Sequence, residues 1–229
     1  MRMRQTIRVL SFRRHVHSEA YAALVLAGGY EEAGDRGRFV AKAGDVIFHD
    51  RFEAHADHFS ENGATLLNLP LRCCHDFVAG MASVADPDLI VRLAEKNKQD
   101  AVACLVATAV CSSPQSADWT DLLANDLARN PSVKLSAWCE KNSLAPWTIS
   151  RGFALVFGIS PEAFRARTRA RHAWTLINRS SKPLADIAAE LGFADQPHMT
   201  RSVKQLTGVG PRAWRLSANR FKTQPPAKA

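Results

Sequence analysis

The chain has 229 residues, of which 46% are hydrophobic and 23% are charged, and its formal net charge at neutral pH is +8. This composition can bury an ordinary hydrophobic core, so it excludes wholesale disorder, a collagen-like repeat and a disulfide-dense scaffold. The longest mainly apolar run, from Ala101 to Cys111, falls short of the roughly 18 residues that a membrane-spanning helix requires. The N-terminus lacks an apolar signal region. We therefore expect a soluble, cytoplasmic protein of one or two domains.

The first half of the chain consists of short apolar runs separated by glycine-rich turns, from Tyr21 to about Leu71. Regularly spaced short strands of this kind predict an all-β sandwich or barrel. Turns are expected at Gly28-Gly29 and at Asn62-Gly63, between the runs. Beyond Leu71 the apolar residues recur at helical spacing, which predicts helices over about 77–81, 88–97 and 100–110.

Three histidines of this half are candidate metal ligands. His15 and His17, separated by one residue, and the later His55 resemble a degenerate cupin motif, in which a His-x-His pair and a third histidine converge inside a barrel. Converging imidazoles can bind a divalent metal. The sequence departs from the full cupin pattern, because Asp50 and Phe52 stand where proline and glycine are expected. We therefore expect the histidines to pack or hydrogen-bond in a folded barrel, predict no metal or cofactor, and keep a metal site as the alternative.

The positive charge lies in the second half of the chain. Residues 1–117 contain 13 lysines and arginines against 14 acidic residues, whereas residues 118–229 contain 17 against 8. Clustered positive charge attracts phosphate backbones or an anionic membrane surface over long range, although a solvated basic surface has the same composition. The polar, proline-containing segment before this half predicts a linker over 112–117, between a first domain over 1–111 and a second over 118–229.

The strongest pattern in the sequence is a repeat within the second half. The segment around Arg151 recurs fifty residues later, so that Arg151 corresponds to Arg201 and Gly158 corresponds to Gly208. Each copy has the pattern of a helix, a short turn and a second helix, because apolar residues recur at i, i+3, i+4 and i+7 and a capping residue precedes the second helix. Two similar helical units are therefore expected.

The second helix of each unit has a polar face opposite its apolar stripe. An exposed helix that carries arginine, glutamine, serine and an aromatic residue suits the DNA major groove, where arginine can bind a guanine edge with two hydrogen bonds. Solvated residues on an ordinary helical bundle are the alternative for either copy alone, and the repetition favours DNA contact. The residues on these faces are Trp147, Ser150 and Arg151 in the first copy and Gln196, His198, Arg201 and Lys204 in the second.

The stretches ISRGFALVFGISPEAFRARTRARHAWTLI and LADIAAELGFADQPHMTRSVKQLTGVGPRAWR resemble the DNA-binding domain of the AraC/XylS family of bacterial transcription regulators. The resemblance covers nearly half of the chain and includes a GF-x-DQ-x-H turn and a closing G-x-x-P-x-x-W-R. It implies an α+β protein. An N-terminal cupin-like β-barrel followed by helices would precede an all-α domain with two helix-turn-helix units joined by a linker helix over about 161–179.

The resemblance also implies a function: a DNA-binding transcription regulator, not an enzyme, whose recognition helices near 146–157 and 196–207 enter adjacent major-groove segments. Base contacts would come from the polar faces named above and from Thr200, whereas Lys204 and the arginines of the linker helix would bind phosphate. Pro197 stands where the family often has a polar residue, and Met199 and Val203 replace the more usual aromatics.

The expected partners are double-stranded DNA, an unknown small-molecule effector of the N-terminal domain, a second copy of the chain and, for an activator, RNA polymerase; no membrane is expected. The sequence contains no catalytic triad or paired-carboxylate signature that specifies a reaction. Two alternatives remain open. One is a metal-dependent cupin enzyme fused to a DNA-binding tail, with His15, His17 and His55 as ligands, and the other is a purely architectural DNA-binding protein.

Overall fold

The computed structural model describes residues 3–71, 79–112 and 118–222. The first part of the chain forms an antiparallel sheet in which eight strands are described. Their bounds are Arg4–Ile7 (β1), Ser11–Val16 (β2), Tyr21–Gly34 (β3), Gly37–Lys42 (β4), Asp45–His49 (β5), Ala54–Pro70 (β6), Gly80–Ser83 (β7) and Val110–Cys111 (β8).

Helices follow the sheet, and the described ones are Pro87–Lys96 (α1), Lys98–Thr108 (α2), Trp119–Arg129 (α3), Leu135–Lys141 (α4), Pro146–Phe157 (α5), Pro161–Arg179 (α6), Leu184–Glu190 (α7), Gln196–Thr207 (α8) and Pro211–Lys222 (α9). The expected succession of strands and then helices is therefore confirmed. Within the described ranges, every helix is too short or too polar to cross a lipid bilayer.

The two long strands β3 and β6 organise the sheet. The strands follow the order β1-β6-β3-β5-β7-β8, while β2 also pairs with β6 and β4 also pairs with β3. One apolar cluster lies between the sheet and the helices α1 and α2, where Leu24 and Leu69 pack with Ile90 and Leu105. A second cluster on the sheet contains the buried aromatic rings of Tyr30, Phe39 and Phe59.

The expected turns at Gly28-Gly29 and Asn62-Gly63 are wrong, because β3 and β6 continue through both positions. Gly28 and Gly63 have φ values of 71° and 69°, and the β3·β6 register shifts next to Gly28. A glycine inside a strand pattern can mark a bulge or a close backbone approach instead of a chain reversal. Here the two glycines approach each other: a Cβ at Gly28 would lie 2.0 Å from the Gly63 carbonyl oxygen.

The predicted helices after the sheet agree with the structure at two of three places. The helices α1 and α2 match the segments expected over 88–97 and 100–110. The helix expected over 77–81 is wrong at residues 80 and 81, which belong to β7 and pair with β5, and residues 77 and 78 lie outside the described ranges. A short apolar segment can form either a helix or a strand. Here its pairing with β5 makes it a strand.

Two compact units are present, one formed by residues 1–125 and 147–160 and the other by residues 126–146 and 161–229. The second unit has its own core, in which Ile187, Met199 and Val203 are fully buried beside residues of α6. The linker expected over 112–117 lies outside the described residues except for Ser112. The boundaries of the two predicted domains stay a prediction.

We expect Gly63→Ala to destabilise the first unit more than Gly44→Ala. Both glycines have positive φ, but a Cβ at position 63 would lie 2.0 Å from the Ile7 carbonyl oxygen, whereas a Cβ at position 44 meets nothing closer than 3.8 Å. Both variants strain the backbone. The additional clash should lower the free energy of unfolding of Gly63→Ala by about 1–3 kcal/mol more than that of Gly44→Ala. Urea unfolding of the two variants measures the difference, and equal midpoints would show that the long strands tolerate a side chain there.

Candidate nucleic-acid interface and ligand site

The helix α5 separates a buried apolar stripe from an exposed polar face. Ile149, Phe153 and Phe157 are buried, and the rings of Phe153 and Phe157 stack with centroids 4.6 Å apart. The residues that the sequence assigns to DNA lie on the exposed side: 71% of Trp147 is accessible, and Ser150 and Arg151 are exposed. The burial therefore leaves the predicted reading residues of α5 available to a ligand.

Close packing in the first unit fixes the middle of α5. A Cβ at Gly152 would lie 2.6 Å from a ring carbon of Trp119, so the helix approaches the indole as closely as a glycine allows. Trp119 begins α3, where Arg38 of the sheet donates hydrogen bonds to the Asp121 carboxylate at 2.8 and 3.0 Å. The sheet thereby holds α3, and α3 packs against α5.

A buried arginine of the sheet also holds the end of α5. The Arg14 guanidinium donates hydrogen bonds to the carbonyl oxygen of Phe157 at 3.0 Å and to that of Ala33 at 3.3 Å. Arg14 and Asp35 form an ion pair in which the two side chains are only 8% and 1% exposed. The carbonyl groups at the C-terminus of a helix carry partial negative charge, which favours a cation there.

The helix α8 begins and ends as its sequence predicts. The Asp195 carboxylate accepts a hydrogen bond from the backbone N–H of His198 at 2.6 Å, and Gly208 ends the helix with a left-handed backbone. Met199 and Val203 are fully buried on one face. The bounds of α5 and α8 coincide with the recognition helices expected near 146–157 and 196–207.

The structure gathers three of the predicted reading residues of α8 in one open groove of about 600 Å³. Gln196, Thr200 and Arg201 line this groove together with the first residues of α9. Arg201 and Lys204 are exposed, whereas His198 is half-buried, and its ring lies nearly perpendicular to that of Phe193 with the two centroids 5.3 Å apart. His198 therefore contributes to packing in addition to the role that the sequence assigns to it.

Two arginines of the linker helix α6 bind the protein's own backbone. Arg165 donates to the Val133 carbonyl oxygen at 3.2 Å, and Arg169 donates to those of Pro131 and Gly192 at the same distance. The guanidinium of Arg169 also lies over the Phe193 ring. These side chains connect segments of the second unit. The sequence had assigned them only to contact with phosphate.

The three histidines named as candidate metal ligands converge in the sheet. His15 and His55 are register partners on β2 and β6. One ligand atom from each of His15, His17 and His55 lies within 4.8 Å of the others. The Nδ1 atom of His15 is 3.0 Å from the Arg13 carbonyl oxygen, to which it can donate a hydrogen bond.

A second group of polar side chains, which the sequence did not predict, surrounds the same histidine. Asp57 Oδ1 lies 2.8 Å from His55 Nδ1, and Glu32 Oε2 lies 3.4 Å from the same nitrogen. His49 Nε2 is 3.5 Å from Glu32 Oε2, and the Tyr21 hydroxyl is 3.1 Å from His55 Nε2. All five side chains are buried. The available signal was weak, because nothing in the sequence distinguishes Glu32 from the neighbouring Glu31.

Burial and charge shift the pKa values in this group in different directions. Burial raises the pKa of Glu32 to about 8. Burial opposes the charge on His55, but Glu32 and Asp57 outweigh it and raise the pKa of that imidazole to about 9. Burial and the neighbouring histidines lower the pKa of His17 to about 4 and that of His49 well below its usual value. At neutral pH His17 and His49 are therefore neutral, with a lone pair available to a ligand.

Two cavities open beside these side chains. One of about 290 Å³ is lined by His17, Tyr21, Asn68 and Lys98 among others, and one of about 100 Å³ is lined by His15, His17, Tyr21, Asn68 and His55 among others. The larger is near the lower end of the volumes of small-molecule sites. Most of its described lining residues have polar side chains, which suits a small polar ligand.

The sequence of this chain matches that of known regulators over its C-terminal part. The family described as "Helix-turn-helix domain" matches residues 138–217. The "Virulence regulon transcriptional activator VirF" of Yersinia enterocolitica is 30% identical over 105 residues, which are 40% of this chain and 39% of that protein. The "HTH-type transcriptional regulator ExsA" of Pseudomonas aeruginosa is 32% identical over 78 residues, 34% of this chain and 28% of that protein. The chain thus spans about two fifths or less of the length of these relatives.

Solved structures of such regulators are also similar, at low identity. The DNA-binding domain of AdpA in complex with a target DNA aligns with 48% of this chain and 100% of its own, with TM-score 0.42 and 18% identity. ToxT of Vibrio cholerae with a bound unsaturated fatty acid aligns with 93% of each chain, with TM-score 0.41 and 11% identity. The sequence match identifies residues 138–217 as a helix-turn-helix domain.

Proposed function

We propose that the chain is a sequence-specific DNA-binding transcription regulator that responds to a small ligand at its N-terminal unit. The helices α5 and α8 would serve as recognition helices and enter adjacent major-groove segments of one duplex. The proposal assigns no reaction to the chain. Two further partners are compatible with this function: a second copy of the chain and, if the protein is an activator, RNA polymerase.

One observation carries the proposal: two helices of an AraC/XylS domain repeat the same division between a buried stripe and an exposed basic face. On α5 the buried Phe153 lies opposite the exposed Arg151, and on α8 the buried Val203 lies opposite the exposed Arg201. Arginine discriminates guanine through two parallel hydrogen bonds in the major groove. A chain with two such helices can read two sites of unequal sequence.

The charge of the second half supports contact with the phosphate backbone. Residues 118–229 carry 17 basic against 8 acidic residues. Phosphate contacts supply most of the affinity that is independent of sequence, whereas base contacts supply the discrimination. We assign Lys204 to the first role and Arg151 and Arg201 to the second.

The contacts of Arg14 provide a route from the sheet to α5 within the first unit. Arg14 joins the sheet at Ala33 and Asp35 to the last carbonyl group of α5 at Phe157. Arg14 lies next in sequence to His15, which lines the 100 Å³ cavity. A ligand that favours one arrangement of β2 would therefore also favour one position of the end of α5, and it could shift the regulator by its differential affinity for the two arrangements.

We expect Arg151→Ala and Arg201→Ala each to relax the preference at one base position and to cost about 1–3 kcal/mol of binding at the preferred base. Selection from random duplexes first gives the preferred site, and titration of single-base variants of that site then gives the loss at each position. Lys204→Ala should weaken binding to all sequences alike and lower the salt dependence by about one phosphate contact.

The matched control is Lys96→Ala, which removes an exposed positive charge from α1. Its affinity and sequence preference should equal those of the unchanged chain. If Arg151→Ala and Arg201→Ala keep the full sequence preference and behave like Lys96→Ala, neither arginine reads DNA.

We expect the pair of substitutions Arg14→Met and Asp35→Asn to loosen the end of α5. Removing both charges together avoids leaving one buried charge without its partner. Hydrogen bonds to charged groups contribute about 1.5–3 kcal/mol, so amide exchange near Phe157 and Gly158 should become about 10- to 100-fold faster. Hydrogen-exchange mass spectrometry measures the rate, and Arg13→Met, a change at an exposed neighbour, should leave it unchanged. Equal rates in both variants would exclude this route.

A further inference from the structure

A buried group of donors lies beside the histidines that the sequence singles out. Glu32 of β3, His49 of β5 and His55 of β6 place one ligand atom each within 4.8 Å of one another. The separations from Glu32 Oε2 are 3.5 Å to His49 Nε2 and 3.4 Å to His55 Nδ1. This group shares only His55 with the cluster of His15, His17 and His55.

Two atoms of this group lack the partner that buried polar atoms normally have. In the described part of the chain, neither Glu32 Oε2 nor His49 Nε2 has a hydrogen-bond partner, although only 3% of each residue is exposed. An unsatisfied buried polar atom costs about 1–3 kcal/mol, and more when the group is charged. Both atoms face each other, so one small bound species between them could satisfy both.

The charges around the group favour a cation as that species. The carboxylates of Glu32 and Asp57 are register partners on β3 and β6, and both face His55. Arg14, the nearest buried guanidinium, is paired with Asp35. Carboxyl oxygens and imidazole nitrogens thus face one point, and a divalent cation is a species that both kinds of donor bind.

The available space suits one ion. A cavity of about 10 Å³ is lined by Glu32, His49 and His55 among others, which is close to the smallest volume that holds one water molecule. Gly34, the register partner of His55, keeps this space open, because a Cβ there would lie 3.3 Å from both Glu32 Oε1 and His55 Cβ.

We propose that Glu32, His49 and His55 bind a divalent first-row transition ion such as Zn²⁺. Two imidazoles and a carboxylate are donors that zinc accepts, whereas Mg²⁺ and Ca²⁺ prefer oxygen alone. His55 would bind through Nδ1, where the ion replaces the proton shared with Asp57 Oδ1, while Nε2–H donates to the Tyr21 hydroxyl and orients the ring. The site does not depend on the proposed DNA-binding function.

The test uses the full chain, stripped of metal with EDTA and titrated with Zn²⁺ by calorimetry. One equivalent should bind, and Mg²⁺ at the same concentration should not compete. Glu32→Gln and His49→Ala should each weaken Zn²⁺ binding by about 100-fold or more, because even the hydrogen-bond partners of ligands are worth about 10- to 100-fold. His15→Ala and His17→Ala should change it by less than about 3-fold, and His58→Ala, at an exposed histidine of β6, serves as the neutral control.

Each contrary result overturns the proposal. Absence of stoichiometric Zn²⁺ binding would mean that the two unpaired atoms bind water. Loss of binding in the His15 and His17 variants, with binding kept by the Glu32 and His49 variants, would place the ion at the other cluster. If circular dichroism shows that a variant fails to fold, X-ray absorption of the zinc-loaded unchanged chain decides instead: two imidazole ligands support the proposed site, and three contradict it.

Discussion

The orientation of the helices α5 and α8 depends on the burial of one apolar stripe in each. Fully burying a side chain such as Phe153 or Phe157 contributes about 1.5–3 kcal/mol to the stability of the fold. An exposed ion pair on a helix contributes only about 0.3–0.5 kcal/mol. The buried residues of α5 and α8 therefore decide how each helix is rotated. Since a helix has 3.6 residues per turn, this rotation also fixes which side chains face outward. Arg151 and Arg201 are exposed as a consequence of the packing behind them.

The side-chain period of two along a β-strand explains the polar group in the sheet. His55 and Asp57 alternate on β6 and therefore share a face, and the register of β3 with β6 sets Glu32 opposite Asp57. The pairing of β3 with β5 sets Tyr21 opposite His49. The unbroken length of β3 allows one strand to supply both Tyr21 and Glu32 to this group. Gly28, with its positive φ, permits that length where a side chain would strike β6.

The sequence predicted the parts of the structure that depend on local periodicity. The apolar stripes of α5 and α8 and the Asp195 cap follow from residues within a few positions of each other, whereas the bounds of the linker helix α6 were implied by the family resemblance. The group around His55 could be predicted only in part, because His15, His17 and His55 belong to a motif but Glu32 and His49 do not. Their meeting requires the pairing of distant strands, whose register no local pattern specifies.

Contacts between distant segments were beyond local prediction for the same reason. Arg14 and the Phe157 carbonyl group are 143 residues apart in sequence, and nothing near Arg14 distinguishes it from the exposed Arg13. Arg169 was expected on phosphate because it belongs to a basic helix. In the structure its guanidinium binds two backbone carbonyl groups. Charge composition indicates that a surface is basic, but packing determines which cations remain available to DNA.

Methylation interference on a duplex selected by the full chain tests most directly whether α5 and α8 read DNA together. If both helices enter the major groove, modification of guanines should block binding in two segments about one helical turn, or 10–10.5 base pairs, apart on one face of the duplex. A single sensitive segment, or sensitivity confined to the minor groove, would contradict the account.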